Sequence, residues 1–189
     1  MKQVCFSSSL VFILLVILVN FHGGHVHGAG LINTACKNAV ERFQERVTYS
    51  FCVASLEANP KSKNYGIEDL AVVAYEHATK KGISVNSYIH QLLKDGKQSS
   101  DVMVRLKGCR RDYKDIGSVM KDATGSFRRG DPEGGANGLD TAEDSVLHCQ
   151  RRFDGGFTSP LAKEDSEFLQ HIYISYTITE MIQALWPPA

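Results

Sequence analysis

Two cysteines lie within the apolar stripes of predicted amphipathic helices, and this placement limits the fold more than any other feature. Apolar residues recur after Ser100 in steps of three and four, which is the spacing of one helix face. A later segment repeats the pattern. The first stripe is Val102, Leu106, Cys109, Tyr113, Ile116 and Met120, and the second is Leu139, Ala142, Val146, Cys149 and Phe153. Both cysteines therefore face a core from two helices, which can be cross-linked.

The start of the chain predicts a secretory signal peptide. Residues 10–19 form an unbroken apolar run after Lys2, and this run is too short for a helix that spans a bilayer. Val26 and Gly28 suit the positions three and one before a cut, so we expect residues 1–28 to be removed. Three histidines that could suggest a metal-binding tract would leave with the signal: His22, His25 and His27. We expect a secreted protein with no membrane anchor after cleavage.

Four of the five cysteines remain after cleavage, since Cys5 lies in the signal. An even number of cysteines in an exported chain predicts two disulfides, with three possible pairings. The remaining cysteines are Cys36, Cys52, Cys109 and Cys149. Pairing the first with the second would join a short hairpin, and pairing the third with the fourth would join two long helices. No two cysteines have the close spacing of a zinc site, so we expect no metal.

Residues 29–189 have the length of one domain, which can bury roughly 68–70% of its unfolded surface. The chain has 21 basic and 21 acidic residues. Because the signal removes Lys2 and no acid, the mature net charge is about −1 with neutral histidines. This balance gives no bulk attraction to nucleic acid.

Other helical segments complete an all-helical plan. They are residues 31–46, 50–58, 67–94 and 166–185. The first two predict a hairpin that Pro60 ends, and we expect a bend at Gly82 in the third. The last is rich in β-branched residues, so a strand is the alternative, but its length favours a helix. The predicted fold is all-α, an up-down four-helix bundle with an N-terminal helical hairpin.

A glycine-rich stretch separates the two cysteine-bearing stripes. Residues 125–138 include the run from Gly130 to Gly135, which also contains Pro132. Glycine and proline are poor residues for a helix interior. We therefore expect the whole stretch to be a loop between antiparallel neighbours.

The chain contains no recognisable catalytic motif. A nucleophile elbow, a zinc-protease motif, a phosphate-binding loop and a calcium-binding loop are all missing from the sequence. Four histidines stand alone on predicted helices and are interpreted as packed or surface residues: His77, His90, His148 and His171. We therefore expect no catalytic residue, no cofactor and no enzyme activity.

Arginine pairs follow the two helix cysteines. Arg110 and Arg111 follow Cys109, and two more arginines, Arg151 and Arg152, follow the fourth cysteine. A disulfide there would gather the four guanidinium groups, which could bind carboxylates of an acidic polysaccharide. The alternative is a solvated rim that nearby acids balance, namely Asp112, Asp115 and Asp154.

Four motifs follow one another along the chain. They are residues 49–56 (YSFCVASL) with Pro60, residues 106–113 (LKGCRRDY), residues 139–149 (LDTAEDSVLHC) and residues 159–161 (SPL). Together they resemble the plant invertase and pectin methylesterase inhibitor family over the whole mature chain. The sequence around Cys52 and Pro60 is most similar to that of a pollen-allergen-like branch of this family, whose members are named as invertase inhibitors.

The resemblance implies a hairpin, a four-helix bundle and disulfides that join the first cysteine to the second and the third to the fourth. It also implies a secreted cell-wall (apoplast) protein that inhibits a pectin methylesterase or an acid invertase by docking on its substrate cleft. The alternative function is a non-inhibitory wall protein that binds acidic polysaccharide through the arginine cluster.

The residues leave the target enzyme open. Glu133 and Gly134 stand where invertase inhibitors of the family have lysine and phenylalanine, and residues 141–144 (TAED) replace the Ser-Ala-Ala-Leu run of pectin methylesterase inhibitors. We expect the partner-binding site at Asp131, Pro132 and Glu133, together with the exposed faces of the two helices joined there. A purely structural turn is the alternative.

Overall fold

A computed structural model describes residues 28–185, which form helices joined by turns. The helices are α1 (Gly28–Phe43), α2 (Tyr49–Glu57), α3 (Ile67–Asp95), α4 (Ser100–Asp112), α5 (Ile116–Arg128), α6 (Pro132–Arg151) and α7 (Ala162–Leu185). Short 3-10 turns occupy Gln44–Arg46 and Ser62–Asn64. The predicted all-α class is confirmed. Apart from Gly28, the predicted signal segment, residues 1–28, lies outside the described residues.

The bundle has four members. Three of them are the single helices α3, α6 and α7, and the fourth is made of α4 followed by α5. Helix α3 packs against α5 and α7, and α6 packs against α4, α5 and α7. The largest fully buried side chains include Leu70, Tyr75, Ile89, Leu106, Tyr113, Met120, Leu139, Phe168 and Tyr173. Among residues 28–185, no helix combines the length and apolar character needed to cross a bilayer.

Two disulfides staple this fold. Cys36 of α1 bonds Cys52 of α2 with a Cα–Cα distance of 5.6 Å, and Cys109 of α4 bonds Cys149 of α6 with a distance of 4.6 Å. All four side chains are fully buried. The first bond closes the hairpin, which packs on α7, and the second ties the two predicted stripes together.

The first predicted stripe is not one helix, because the chain turns between α4 and α5. The Tyr113 N–H donates to the Cys109 carbonyl at 2.9 Å, and the Ile116 N–H donates to the Tyr113 carbonyl at 3.2 Å. Residues 113–115 therefore form one turn that keeps the apolar phase of both helices. The turn also directs the Tyr113 hydroxyl to Asp165 of α7.

The prediction that residues 125–138 form a loop was wrong. Helix α5 continues to Arg128 and α6 begins at Pro132, so three residues separate the helices. Glycine serves close packing here: a Cβ on Gly138 would lie 2.4 Å from the Ala123 Cβ, and one on Gly135 would lie 2.8 Å from the Tyr75 hydroxyl. The missing side chains let α6 approach its neighbours.

The expected bend at Gly82 does not interrupt α3, which runs without a break for 29 residues. A Cβ on Gly82 would lie 2.7 Å from Cζ of Phe168 and 3.2 Å from Cγ1 of Ile116. The glycine therefore makes room for the Phe168 ring in the core. Helix α3 ends instead at Asp95, and Gly96 caps it with a φ of 63°, a left-handed conformation that suits glycine.

Candidate partner-binding site

The three residues predicted to contact a partner lie where α6 begins. Asp131 is the N-cap, and its Oδ1 accepts a hydrogen bond of 2.8 Å from the Gly134 N–H. Pro132 occupies the first helical position, where its fixed φ and missing N–H cost little. Glu133 follows in the first turn and is exposed. Asp131 and Pro132 thus shape the turn, while Glu133 is presented to solvent.

A groove with a volume of about 680 Å³ opens beside this turn. Its apolar lining comes from three helices: Val72 of α3, Phe127 of α5 and Ile182 of α7. Its polar and charged lining residues are Glu68, Asp69, Arg128 and Gln183, and the turn adds Gly130 and Pro132. An apolar centre with a polar rim is the usual anatomy of a protein–protein interface.

Packing, more than surface charge, holds the groove in shape. Arg128 of α5 forms an ion pair with Glu76 of α3, but both side chains are largely exposed, and exposed pairs are worth only about 0–1 kcal/mol. The rings of Tyr75 and Phe127 stack with their centroids 5.1 Å apart. The Tyr75 hydroxyl also bonds Thr179 of α7 at 3.1 Å. These buried contacts join α3, α5 and α7 beneath the groove.

A cluster of two histidines and a serine links α2 to α3 and α7. The Ser55 Oγ lies 3.2 Å from Nδ1 of His171 and 3.4 Å from Nδ1 of His77. Burial lowers the pKa of both rings, and that of His171 falls to about 4. Phe51 packs on His171 at a centroid distance of 4.9 Å. Sequence analysis missed this cluster because the two histidines lie far apart in the chain and carry no local pattern.

A charged and polar group lies at the start of α7. The Lys81 ammonium of α3 bonds Glu164 and Glu167, the latter at 2.6 Å, and lowers the pKa of Glu167. Asp165, the residue after Glu164, is fully buried and accepts a hydrogen bond of 2.6 Å from the Tyr113 hydroxyl. Burial raises the pKa of Asp165 to about 7. These contacts fix α7 to α3 and to the turn that follows α4.

The four arginines next to the second disulfide do not act as one group. Two nitrogens of the Arg152 guanidinium donate to the Asp112 carboxylate, Nε to Oδ2 at 2.6 Å and Nη2 to Oδ1 at 2.8 Å. Its side chain also covers Gly108. Arg110, Arg111 and Arg151 are exposed. The predicted cluster therefore loses Arg152, which has a structural role between α4 and α6.

The described residues offer no arrangement that would hold a metal ion. Within residues 28–185, no three His, Cys, Asp or Glu side chains come together as ligands. The Ser55 hydroxyl has two histidine neighbours, but the residue as a whole is only 9% exposed, so a substrate has little access to it. What the arrangement offers is a preformed surface made of a capped turn and an adjacent groove.

The chain is similar to known inhibitors in sequence and in fold. A family model described as plant invertase/pectin methylesterase inhibitor matches residues 30–178. A Platanus orientalis protein named "Putative invertase inhibitor" is 29% identical over 82% of this chain and 92% of that protein. A Platanus acerifolia protein of the same name is 28% identical over 96% of this chain and 99% of that protein.

Two solved structures share the fold. A mutant form A of a pectin methylesterase inhibitor from Arabidopsis superimposes with a TM-score of 0.66 at 16% identity, covering 79% of this chain and 95% of that chain. A pectin methylesterase inhibitor from Arabidopsis thaliana gives a TM-score of 0.56 at 16% identity, covering 79% of this chain and 94% of that chain.

Proposed function

The chain belongs to the plant invertase/pectin methylesterase inhibitor family, and on that premise we propose which surface it uses and where it acts. It is a protein inhibitor of a pectin methylesterase or an invertase and has no catalytic role of its own. We propose that its signal, residues 1–28, directs it out of the cell to the wall. There, the turn at Asp131, Pro132 and Glu133 and the adjacent groove bind the target enzyme.

The observation that carries this proposal is the rigidity of the turn beside an open groove. The hydrogen bond from the Gly134 N–H to Asp131 holds the start of α6, and the close contact between Gly138 and Ala123 holds α6 against α5. A surface that is already ordered loses little conformational entropy when it binds. The buried Phe127 and Ile182, which reach the groove lining, provide its apolar centre.

Asp131 stabilises the turn, whereas Glu133 is available to contact the target enzyme. Asp131 satisfies a helix N–H, so replacing it would cost about 1 kcal/mol of stability and confuse a binding test. Glu133 has an exposed side chain and no hydrogen-bond partner among the described residues. Glu133 is therefore the residue whose replacement tests the surface with the least effect on the fold.

Titration against two enzymes tests the function. The oxidised mature protein is added to a pectin methylesterase and to an acid invertase, at acidic and at neutral pH, and residual activity is measured. We expect inhibition that saturates near an equimolar ratio for one enzyme class, which also names the target. Full activity of both enzymes at a molar excess of the protein would contradict the proposal.

The proposed surface is tested with Glu133→Ala. We expect weaker inhibition with unchanged thermal stability, since the side chain is exposed at the rim of the contact region. Glu41→Ala, an exposed residue of α1, removes the same charge elsewhere and serves as the matched control. Equal inhibition by both variants would place the interface elsewhere. N-terminal sequencing of protein secreted by plant cells tests the signal, and we expect the mature chain to begin near residue 29.

A further inference from the structure

Helix α4 and the turn that follows it carry four closely spaced cations. Three of them have the helical spacing i, i+3 and i+4, which places them on one face within about 100°. Three belong to α4 and the fourth lies in the turn that follows it. They are Lys107, Arg110, Arg111 and Lys114, here called the cation ridge.

The charges of the cation ridge are not neutralised by ion pairs with other described residues. All four side chains are exposed, and none has an ion pair or hydrogen bond with another described residue. Asp112, the acid within the ridge segment, has both oxygens bound by Arg152. Two exposed acids lie close in the chain to the ridge segment or to Arg152, and they are Asp115 and Asp154. Four cations against two free carboxylates leave a net positive surface on a protein whose total charge is close to zero.

The opposite face of α4 is fixed in place. Cys109 and Leu106 are fully buried there, and the disulfide from Cys109 ties the helix to α6. Arg105 donates a hydrogen bond to the Arg152 carbonyl, and its guanidinium group lies 3.5 Å from the centroid of the Phe157 ring. The cation ridge therefore stands on a helix whose backbone is held in place by a disulfide and by buried contacts.

We propose that the cation ridge binds the carboxylate groups of a polyuronate, an acidic polysaccharide. The two arginines can each hold a carboxylate with two parallel hydrogen bonds, and the two lysines supply point charges on either side. Val104 lies one turn before Lys107 on the same face and is 67% exposed. This apolar side chain offers contact to the C–H face of a sugar ring.

The choice of a polyuronate over an acidic protein rests on the proposed function. A pectin methylesterase converts methyl esters on a polyuronate to free carboxylates, so an inhibitor that acts on this enzyme works beside the polymer. An extended polymer that carries many carboxylates can also contact several cations of the ridge at once. Binding would concentrate the inhibitor where carboxylates have been released.

The cation ridge lies at a distance from the proposed inhibitory surface. Helix α4 starts beside the C-terminal end of α3 and runs back along it, so that Ile116, two residues after Lys114, lies against Gly82 near the middle of α3. The groove is lined by Glu68 and Asp69, which precede Gly82 by 14 and 13 residues, a rise of about 20 Å along α3. The cation ridge and the groove therefore share no residue and lie at different levels of the bundle.

The test measures binding of the oxidised mature protein to polygalacturonate without any enzyme, so its outcome does not depend on inhibition. We expect saturable binding that weakens steeply when salt is raised from about 0.05 to 0.5 M, because exposed charges are screened. A ridge variant changes all four cations to Gln: Lys107→Gln, Arg110→Gln, Arg111→Gln and Lys114→Gln. We expect its affinity to fall roughly tenfold.

A matched control removes the same charge from exposed lysines elsewhere. Its substitutions are Lys37→Gln, Lys61→Gln, Lys94→Gln and Lys121→Gln. We expect the control variant to bind polygalacturonate about as well as the unchanged protein does. We expect fully methyl-esterified pectin to bind neither the control variant nor the unchanged protein. Equal losses in the ridge and control variants would overturn the proposal in favour of non-specific attraction. Tighter binding to polyglutamate than to polygalacturonate would overturn it in favour of an acidic protein partner.

Discussion

The Tyr113 hydroxyl donates a hydrogen bond of 2.6 Å to Oδ1 of Asp165, and this buried contact joins the turn after α4 to the first turn of α7. Oδ2 of the same carboxyl has no partner among the described residues. Burial raises the pKa of Asp165 from its ordinary value of 3.8 to about 7, although the Tyr113 hydrogen bond acts in the opposite direction. The folded protein therefore holds a proton on Asp165 in acidic solution.

Asp165 is predicted to make the protein more stable in acid than at neutral pH. Since the folded pKa of Asp165 lies above the unfolded value, its contribution is fully present below about pH 4 and is lost as the pH rises through about 7. The loss amounts to about 2–4 kcal/mol, because each pKa unit is worth about 1.4 kcal/mol. Asp165→Asn cannot titrate, so its free energy of unfolding in urea lacks this decline. Asp122→Asn, at an exposed site of α5, is the control and keeps the decline. Parallel curves for Asp165→Asn and the unchanged protein would refute the assignment.

His171 is predicted to make the protein less stable in acid than at neutral pH, which is the opposite of the effect of Asp165. Burial, together with the charges of His77 and Lys81, lowers the pKa of its ring from 6.5 to about 4. Its contribution is therefore present above about pH 6.5 and is lost as the pH falls to about 4. We expect His171→Asn to remove on the order of 2 kcal/mol of this acid sensitivity. The measurement is the free energy of unfolding between these pH values. His90→Asn, at an exposed position of α3, should leave the profile unchanged.

Gly138→Ala is predicted to destabilise the contact between α5 and α6. The new Cβ would lie 2.4 Å from the Ala123 Cβ and 3.3 Å from its Cα, and neither atom can move without shifting α5. We expect a loss of about 1–3 kcal/mol, which exceeds the gain of about 1 kcal/mol from replacing a helical glycine. Gly117→Ala is the matched variant, because its nearest neighbour outside the helix backbone is Ile83 Cγ1 at 3.4 Å. Thermal unfolding should show Gly117→Ala unchanged or stabilised. Equal stability of both variants would mean that α5 can move.

The helical architecture could be predicted because it follows from the spacing of apolar residues along the chain. The positions of Cys109 and Cys149 within steps of three and four residues indicate two helices that face one core, and the structure joins them. The turn at residues 113–115 escaped prediction because it preserves that spacing. The role of Gly138 also escaped, since only the approach of Ala123 from another helix shows that glycine is needed for packing.

The candidate site was less accessible to sequence analysis. The pair Asp131 and Pro132 has the form of an N-cap followed by a first-turn proline, so the start of α6 could have been predicted from it. The groove could not, because Val72, Phe127 and Ile182 come from three helices that are distant in the chain. Its existence depends on how those helices pack, which no local pattern encodes.

Removing the Cys109–Cys149 disulfide is predicted to lower the free energy of unfolding more than removing the Cys36–Cys52 disulfide. The Cys109–Cys149 bond closes a separation of 40 residues and the Cys36–Cys52 bond a separation of 16. Loop-closure entropy gives about 4 kcal/mol for the first and about 3 kcal/mol for the second. The double variants Cys109→Ala/Cys149→Ala and Cys36→Ala/Cys52→Ala are compared by urea unfolding. A larger loss for the hairpin pair would show that strain or unfolded-state structure outweighs chain entropy.

The order of the disulfides along the chain has a consequence for biosynthesis. The loop closed by Cys36 and Cys52 ends before the one closed by Cys109 and Cys149 begins, so the first bond can form before the later cysteines have been synthesised. Every non-native bond among these four cysteines closes a loop longer than 40 residues, and longer loops cost more entropy to close. If the chain is exported as proposed, oxidation that follows the emerging chain favours the native pairs in sequence, with little need for a disulfide isomerase.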